Sequence, residues 1–441
     1  MNEMTFEIKN FGPINEAKID IGKINIIAGQ NASGKTTSSK LLYCLLASVS
    51  SDGNYLAEKG IKTYFKPLLE ELAKRTKNKY PEESIGFIQL SFNLGDMPVS
   101  ERQLSLEELY KETINLFDNI ELEDKNSYKK RLDKILDLIE MKDDTKIFSN
   151  IINTLIKMEF DGSNQILDNF NDSTIRFYGC NEGCNFENTI ITHKGVSKGI
   201  LNENYLDCFK VNEISYIETP YIFDFMNAID YDFFFNKQSN YHEKLLMKKL
   251  RDTSSDQNVY DEFMNENIII FQEKIKKIIE GEFEFDAKTN EFHFDNKGKS
   301  FTIKNIAAGL KQLGIIQLLL NNRKLPEDSY LIMDEPEVHL HPEWQIKLAE
   351  IIVLLSKELN ITIYINSHSP QFIEAIDVYS EYYDLKECTN FYLTEAKNGK
   401  FDICKVNNDN LKKIYRNLGD PYKIIDRIQG LNMAKEILRN K

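Results

Sequence analysis

The stretch IIAGQNASGKTT, residues 26–37, decides the fold of this chain. It contains GQNASGKT, residues 29–36, which matches G-x-x-x-x-G-K-[ST] at every fixed position. A β-branched run ends at its first glycine, and leucines at helical spacing follow it. Strand, glycine loop and helix in this order predict a phosphate-binding loop at the end of a buried strand.

This loop offers the groups that a nucleoside triphosphate requires. Its backbone N–H groups can point at the phosphates, Lys35 can place an ammonium on the β and γ phosphates, and Thr36 can ligate Mg²⁺. The N-terminus of the following helix adds a positive end. The predicted nucleotide-binding residues here are Gly29, Asn31, Ala32, Ser33, Gly34, Lys35, Thr36 and Thr37.

A second motif supplies the acidic groups that hydrolysis needs. In YLIMDEPEVHLHP, residues 330–342, a short apolar strand ends at Asp334 and Glu335 follows. We expect Asp334 to reach Mg²⁺, directly or through water, and Glu335 to polarise the attacking water. An Asp-Glu pair after a strand is a weak signal alone, but together with the loop it is a strong one.

Two more segments fit the same chemistry. IYINSHSPQFIEAI, residues 363–376, reads as a strand ending near His368, whose imidazole can hydrogen-bond a γ-phosphate, although a lone histidine there is more often structural. In IKNIAAGLKQLGIIQLLL, residues 303–320, Ala308 and Gly309 open a helix whose N–H groups suit a phosphate, although many such glycines bind none. The predicted catalytic residues are Lys35, Glu335 and His368.

Together and in this order, the four segments resemble the ABC-type ATPases of the SMC, RecF and OLD (overcoming lysogenization defect) group. NFGPINEAKIDIGKINIIAGQNASGKTT resembles their N-terminal strand pair and Walker A, AAGLKQL their signature, LIMDEPEVHLHP their Walker B with D-loop, and NSHSP their switch histidine. The resemblance covers roughly residues 1–50 and 281–376. It implies ATP and Mg²⁺ as ligands and an α/β P-loop fold whose core is a mixed sheet flanked by helices.

The resemblance also implies contacts outside the phosphate loop. Asn10 and Phe11 are candidates for adenine contact. ATP on the Walker A of one subunit would be sealed by the signature of another, which implies a homodimer or a larger homo-oligomer. The serine that is usual in the signature corresponds to Ala308, so its hydroxyl contact with the γ-phosphate is lost. Slower hydrolysis or a more clamp-like function follows from that departure.

The long interval between the motifs predicts an insertion. Amphipathic helical patterns run from about 101 to 158. Short strand candidates follow at 173–179, 188–193 and 212–220. We expect an ATPase core at 1–100 and 281–441, with a large, mainly helical insertion or dimerisation domain at 101–280.

Composition bounds the location and the partners. The chain has 441 residues and a net charge of −14, so a protein that wraps DNA electrostatically is disfavoured and DNA would have to meet a local patch. No apolar run reaches the roughly 18 residues of a membrane span, and MNEMTFEIKN lacks the pattern of a secretory signal. We expect a cytosolic protein without membrane contact.

The six cysteines are too sparse for a disulfide scaffold. Cys180 and Cys184, with His193 nearby, can be read as half of a metal site. The chain offers no second matching pair, so two cysteines in a strand-turn-strand segment are the favoured interpretation.

The resemblance suggests a role as well as a reaction. Many OLD-group proteins carry a C-terminal TOPRIM nuclease, whereas the segment after NSHSP is short and shows no acidic cluster of that kind. The chain therefore resembles stand-alone ATPase subunits of antiphage systems, of PARIS or Septu type, in which a separate protein supplies the nuclease. We expect an ATP-hydrolysing oligomeric switch that controls a nuclease or toxin-like effector. The alternative is a DNA repair or recombination ATPase that acts directly on DNA.

Overall fold

The computed structural model of the chain is a large mixed sheet flanked by helices, with a smaller sheet beside it. The structure describes residues 3–50, 65–96, 102–139, 144–160, 173–181, 184–193, 196–201, 211–227, 240–252, 266–407 and 411–418. No helix within these ranges is long and apolar enough to cross a membrane.

The strands, in chain order, are β1 (Glu3–Phe11), β2 (Ile14–Ile21), β3 (Ile24–Ala28), β4 (Ser173–Asn181), β5 (Cys184–His193), β6 (Val196–Leu201), β7 (Ile214–Ile217), β8 (Glu282–Asp286), β9 (Glu291–Asn296), β10 (Lys299–Thr302), β11 (Tyr330–Asp334), β12 (Thr362–Ser367), β13 (Thr389–Lys397) and β14 (Lys400–Val406). The helices are α1 (Lys35–Ser48), α2 (65–76), α3 (Pro81–Asp96), α4 (Arg102–Asp118), α5 (Lys125–Ile139), α6 (Asp144–Glu159), α7 (Tyr241–Arg251), α8 (Glu266–Ile279), α9 (Ala308–Asn321), α10 (Pro342–Leu359), α11 (Pro370–Tyr382) and α12 (412–418).

The strand order of the large sheet is β6-β5-β4-β1-β2-β14-β13-β3-β12-β11-β7. The neighbours β3, β12, β11 and β7 run parallel, and β13 runs parallel to β3 on its other side. The carboxyl ends of parallel strands share one edge of a sheet, which is where open α/β sheets bind their ligands. The residues that follow these four strands therefore meet at a single place.

The core of this sheet is formed by continuous apolar strands and by one face of each covering helix. Every residue of β3 and of β11 is buried, as expected for strands covered on both faces. On α1 the leucines at helical spacing are all buried, and so are their counterparts on α9 and α10 except the half-buried Leu310. The covered strands are held rigidly, so they can present short polar segments at their ends.

Contacts divide the chain into two compact units, Met1–Ser50 with Ile152–Lys441, and Ser51–Ile151. The second unit therefore differs from the insertion expected at 101–280. The reason is strand pairing: β4 pairs with β1, and β7 pairs with β11, so residues assigned to the insertion belong to the ATPase sheet. The described part of the second unit is helical and has its own buried cluster, which includes Phe65, Leu69, Phe87, Phe117 and Leu132.

The cysteine pair lies in the hairpin of β4 and β5, where Cys180 faces Asn185 and Asn181 faces Cys184. Cys180 is a free thiol. The side chains of Cys184 and His193 lie outside the described residues. The strand-turn-strand arrangement agrees with the favoured interpretation, and the metal alternative stays a prediction.

Candidate functional site

The phosphate loop connects β3 to α1 and depends on its two fixed glycines. Gly34 has a φ of +95°, a conformation that L side chains rarely adopt. A Cβ at Gly29 would lie 1.9 Å from Oγ1 of Thr394, so a side chain there would collide with β13. The Lys35 ammonium, only 4% exposed, donates to the carbonyls of Gly29 and Gln30 at 3.0 Å each. The loop thus folds around its own lysine.

Oxygen atoms converge beside this loop at the end of β11. Thr36 Oγ1 donates to Asp334 Oδ2 at 2.5 Å, and Asn366 Nδ2 donates to Asp334 Oδ1 at 3.0 Å. Burial raises the pKa of Asp334, while these two hydrogen bonds act in the opposite direction. A hydroxyl and a carboxylate side by side are the hard oxygen donors that Mg²⁺ prefers.

Glu335 carries the next carboxylate, which lies between the side chains of Lys35 and His368. Its Oε1 lies 3.5 Å from Lys35 Nζ and 3.1 Å from His368 Nδ1. The hydrogen bond to His368, and then the charge of Lys35, lower the pKa of Glu335. The same contact raises the pKa of His368. An ionised carboxylate at this place can accept a proton from water.

A buried glutamate, Glu337, organises the segment that carries His368. Its Oε1 accepts from Ser367 Oγ at 2.6 Å and from the backbone N–H groups of His368 and Ser369 at 3.2 and 3.3 Å. Ser369 in turn caps α11 by accepting from the N–H of Phe372. Sequence reasoning gave no role to Glu337 or Asn366. Their position was the only signal in the sequence: Glu337, in EPEVHLHP, shortly follows a strand, and Asn366, in INSHSP, lies near the end of one.

An open cleft of about 540 Å³ lies beside these groups. Its lining residues are Pro13, Asn31, Ala32, Ser33, Gly34, Lys35, Thr36, Thr37, Glu218, Asp334 and Glu335. The predicted loop residues from Asn31 to Thr37 therefore share one cleft with both acidic residues of the second motif, whereas Gly29 and His368 are not among its lining residues. Glu218 is an addition. It follows β7 in the segment YIETP, and an acidic residue directly after an apolar strand was the available signal.

The two residues expected near the adenine do not line this cleft. Phe11 is fully buried, and its ring makes an edge contact with Phe160 at 5.4 Å between centroids. Asn10 is exposed, and its Oδ1 accepts a hydrogen bond from Lys400 Nζ. Because the ring of Phe11 is needed in the core, the expected contact with adenine does not fit. Pro13, two residues on, lines the cleft instead.

The signature segment also lies away from the cleft lining. A Cβ at Gly309 would lie 2.4 Å from Leu340 Cδ2 and 3.1 Å from the carbonyl oxygen of His339, so the start of α9 packs against the segment after Glu335. Ala307, the N-cap of α9, is exposed and provides no side-chain cap. The N–H groups of Ala308 and its neighbours therefore begin a helix outside the cleft of their own chain.

The residues of the cleft fit a magnesium-bound triphosphate. Ser33 Oγ is buried, and no described residue makes a hydrogen bond to it, as expected for a hydroxyl that faces a phosphate. Asp334 and Thr36 can hold the ion, and the loop N–H groups and Lys35 can hold the phosphates. When bound, Mg²⁺ neutralises part of the phosphate charge.

A family model described as an AAA ATPase domain matches residues 4–373. The chain belongs to this family. The match spans the phosphate loop, the second unit, the signature segment, Asp334 and His368. This AAA ATPase domain is an ATPase, and its P-loop fold with a mixed sheet flanked by helices is the fold that the sequence predicted.

Solved structures similar to this AAA ATPase domain include three SMC heads, each 12% identical to it. One is an SMC head bound to the C-winged helix domain of ScpA, with a TM-score of 0.47 over 93% of this chain and 98% of that chain. The head from Thermotoga maritima has a TM-score of 0.40 over 92% and 100%. An Smc head from Pyrococcus furiosus, with an extended coiled coil and the C-terminal domain of ScpA, has a TM-score of 0.42 over 97% and 100%. No curated protein matched the chain.

Proposed function

We propose that this ATPase is an ATP-driven switch that pairs with a second copy when ATP binds and separates after hydrolysis. Lys35 binds the β and γ phosphates, and Thr36 and Asp334 hold Mg²⁺. Glu335 accepts the proton of the attacking water, and His368 senses the γ-phosphate. The convergence of these five residues on one strand edge supports the assignment.

One observation carries the pairing. The start of α9 packs against Leu340 and is not among the described residues that line the cleft, yet the N–H groups at a helix N-terminus suit a phosphate. The cleft of one copy therefore lacks a group that the surface of a second copy can supply. Two such half-sites, related by a two-fold axis, would close over two ATP molecules.

The Lys35–Glu335–His368 contacts suggest how ATP drives the change. In the structure, the carboxylate of Glu335 contacts the side chains of Lys35 and His368. A γ-phosphate would compete for the same two side chains, because it carries more negative charge. ATP binding would then release Glu335 to bind water, and loss of the phosphate would restore the original contacts. Two states with different contacts are what a switch requires.

We further propose that the output of the switch is a separate effector, a nuclease or a toxin-like protein, in antiphage defence. The support is the motif set shared with the OLD group. The Ala308 departure fits a slowly hydrolysing clamp, since one γ-phosphate contact of the signature is missing. In this scheme the paired, ATP-bound state and the separated state present different surfaces to the effector.

A mixing experiment tests the pairing. Lys35→Ala removes the phosphate ammonium, and Ala308→Asp places a negative charge where the γ-phosphate of the other copy would lie. Each variant should be inactive alone. Their equimolar mixture should recover ATPase activity on the order of a quarter of wild type, because random pairing gives half mixed dimers with one intact site each. A mixture as inactive as its components would show that the site is complete within one chain.

The matched control for that experiment is a mixture of Lys35→Ala with Glu335→Gln. Both changes lie in the same half-site, so no intact site can form and no activity should return. The effector is tested by expressing the tagged chain with its neighbouring genes and identifying what co-purifies. A stoichiometric nuclease or toxin-like protein supports the proposal. Recovery of the chain alone, with DNA that stimulates its hydrolysis, would favour a DNA repair ATPase instead.

A further inference from the structure

The geometry points to His242 as a positioning residue of the ATP site that acts through Glu218. This inference rests on the proposed ATP site. Glu218 follows β7, which pairs with β11 so that Met333 faces Ile217. Asp334 follows Met333 at the end of β11, and Glu218 follows Ile217 directly after β7. The two carboxylates therefore lie on neighbouring strand ends, at the edge that forms the cleft. Glu218 lines the cleft, and its side chain is 26% exposed.

Each oxygen of the Glu218 carboxylate meets a cationic partner. Oε1 lies 3.1 Å from Lys40 Nζ on α1, and Oε2 lies 2.9 Å from Nε2 of His242 on α7. Two partners in different directions fix the plane of a carboxylate, whereas one leaves it free to rotate. Burial would raise the pKa of Glu218, but His242 and Lys40 lower it to about 2. Glu218 is therefore an oriented, permanently ionised group at the cleft wall.

His242 is itself held from behind by Glu159, the last residue of α6. The Nδ1 atom of His242 lies 2.6 Å from Glu159 Oε2, and the backbone N–H of His242 donates to Glu159 Oε1 at 2.8 Å. Tyr216 stacks on the imidazole at 4.4 Å between centroids. Both ring nitrogens lie against carboxylates, which favours the imidazolium form, and the contact of Nε2 with Glu218 is a close ion pair rather than a hydrogen bond. Burial would lower the pKa of His242, but Glu159 and Glu218 raise it to about 9.

Two other interpretations of this cluster are weaker. The carboxylates of Glu218 and Glu243 lie near His242 at a spacing that can hold a metal ion. Two of these three groups already have partners, because Nε2 of His242 lies against Glu218 and Glu243 caps α7 through the N–H of Asn240. A purely structural ion pair is the second interpretation. Apolar residues would fill a buried space at lower cost, because charges lose their hydration there, and a purely structural pair would have no reason to end at the cleft.

The oriented carboxylate has a defined use next to Asp334. Thr36 and Asp334 offer too few ligands for an octahedral ion, so Mg²⁺ here would keep several waters. Glu218 can accept hydrogen bonds from such waters and hold them in place. His242 and Lys40 would hold the carboxylate in one orientation, in which its remaining lone pairs could accept those hydrogen bonds. Removing His242 would leave Glu218 with Lys40 on one oxygen and only the 3.5 Å hydrogen bond from Asn240 Nδ2 on the other, so its orientation would be held more weakly. The loss would concern bound Mg²⁺–nucleotide rather than nucleotide alone.

The test compares His242→Gln with wild type by the affinity for a fluorescent ATP analogue, with Mg²⁺ and with EDTA. With Mg²⁺, we expect the apparent Kd of His242→Gln to be about tenfold higher than that of wild type, a loss of the size typical of coupled neighbouring residues. In EDTA, we expect the two proteins to have the same apparent Kd. Glu218→Gln changes the residue of this cluster that lines the cleft. Its apparent Kd should likewise rise with Mg²⁺ and stay unchanged in EDTA. His293→Gln, a change to a histidine on β9, is the matched control and should match wild type in both conditions.

A double-mutant cycle separates positioning from a general structural role. If His242 acts through Glu218, then His242→Gln should add nothing in a Glu218→Gln background. Equal weakening with Mg²⁺ and with EDTA, or additive losses in the double variant, would overturn the inference. So would a folded Glu218→Gln with the affinity of wild type in both conditions. A wild-type chain that binds no nucleotide would instead refute the proposed ATP site, so the two failures are distinguishable.

Discussion

At the scale of single residues, the site depends on side chains aimed by unusual backbone. Glu335 has a φ of +46°, which is rare for a residue with a side chain, and its N–H donates to the carbonyl of Asn366 at 2.9 Å. The turn points its carboxylate toward Lys35 and His368, while Asp334 points toward Thr36. The two adjacent acidic residues thus have different partners, and the pKa of Asp334 is raised whereas the pKa of Glu335 is lowered.

The different partners predict different consequences of substitution. Lys35→Ala should abolish ATP binding, because the ammonium that faces the phosphates is lost. Glu335→Gln should bind ATP with near wild-type affinity but hydrolyse it on the order of 10²–10⁴-fold more slowly, since the amide cannot accept a proton. Equilibrium binding and single-turnover hydrolysis measure the two effects separately.

Glu343→Gln is the matched control for that comparison, because Glu343 lies in the first turn of α10 with its side chain exposed. It should bind and hydrolyse ATP like the wild type. An unchanged ATP affinity in Lys35→Ala would refute the loop assignment. Normal turnover by Glu335→Gln would mean that another residue is the base.

At the scale of elements, the function depends on where strands and helices end. The phosphate loop, Asp334, Ser367 and Glu218 follow four parallel neighbours, and their common edge gathers polar groups that are far apart in the sequence. The helix α9 begins elsewhere, at Ala308, and its N-terminus has no side-chain cap. An uncapped N-terminus on the surface leaves N–H groups available to a ligand from outside.

This arrangement predicts a gain from Ala308→Ser. The new hydroxyl would face the γ-phosphate bound by a second copy, so ATP-dependent association should tighten and hydrolysis should become faster. Analytical ultracentrifugation with ATP measures the first effect, and steady-state kcat measures the second. A gain of about tenfold in association is expected for one added hydrogen bond to a charged group.

Ala307→Ser is the control for that gain. It sits at the N-cap of α9, where a serine stabilises the helix by about 1 kcal/mol by accepting from an N–H of the first turn. Its melting temperature should rise while its association does not tighten, because the serine takes up an N–H that would otherwise be available to the phosphate. If both variants changed association equally, a more stable helix rather than a phosphate contact would explain the result.

At the scale of the whole molecule, the proposed pairing divides the site between two parts of one chain. The cleft has the phosphate loop and the acidic residues, and a separate part of the same unit has the signature helix. The net charge of −14 means that two copies repel one another at long range. In the proposed pairing, an ATP molecule bound by both halves would offset this repulsion, so we expect the oligomeric state to depend on ATP.

Glu335→Gln should accordingly accumulate as a dimer in ATP and Mg²⁺. Light scattering should give twice the 51.4 kDa of one chain. Adding EDTA, or replacing ATP with ADP, should return the variant to a single chain, because the shared γ-phosphate or its ion is gone. A Glu335→Gln protein of the same mass in ATP and in ADP would contradict the ATP-dependent pairing.

The sequence identified the residues at the ends of the strands because their chemistry is local. A glycine loop that begins a helix, and a carboxylate that ends an apolar strand, need only their neighbours to be recognised. The residues from Asn31 to Thr37, together with Asp334 and Glu335, were predicted in this way and line one cleft, whereas Gly29, also predicted, is not among its lining residues. The fold class followed from the order of these segments and is confirmed.

Only the tertiary structure decided what depends on strand order and packing. Pairing with β1 and β11 brought residues 173–201 and 214–217 into the ATPase sheet, so the second unit is 51–151 rather than 101–280. The ring of Phe11 is buried in the core. The position of β7 beside β11 brings Glu218 to the site, and His242 lies behind Glu218. Such contacts join residues that are distant in sequence, and no local pattern records which of them meet, because the hydrophobic core selects the arrangement as a whole.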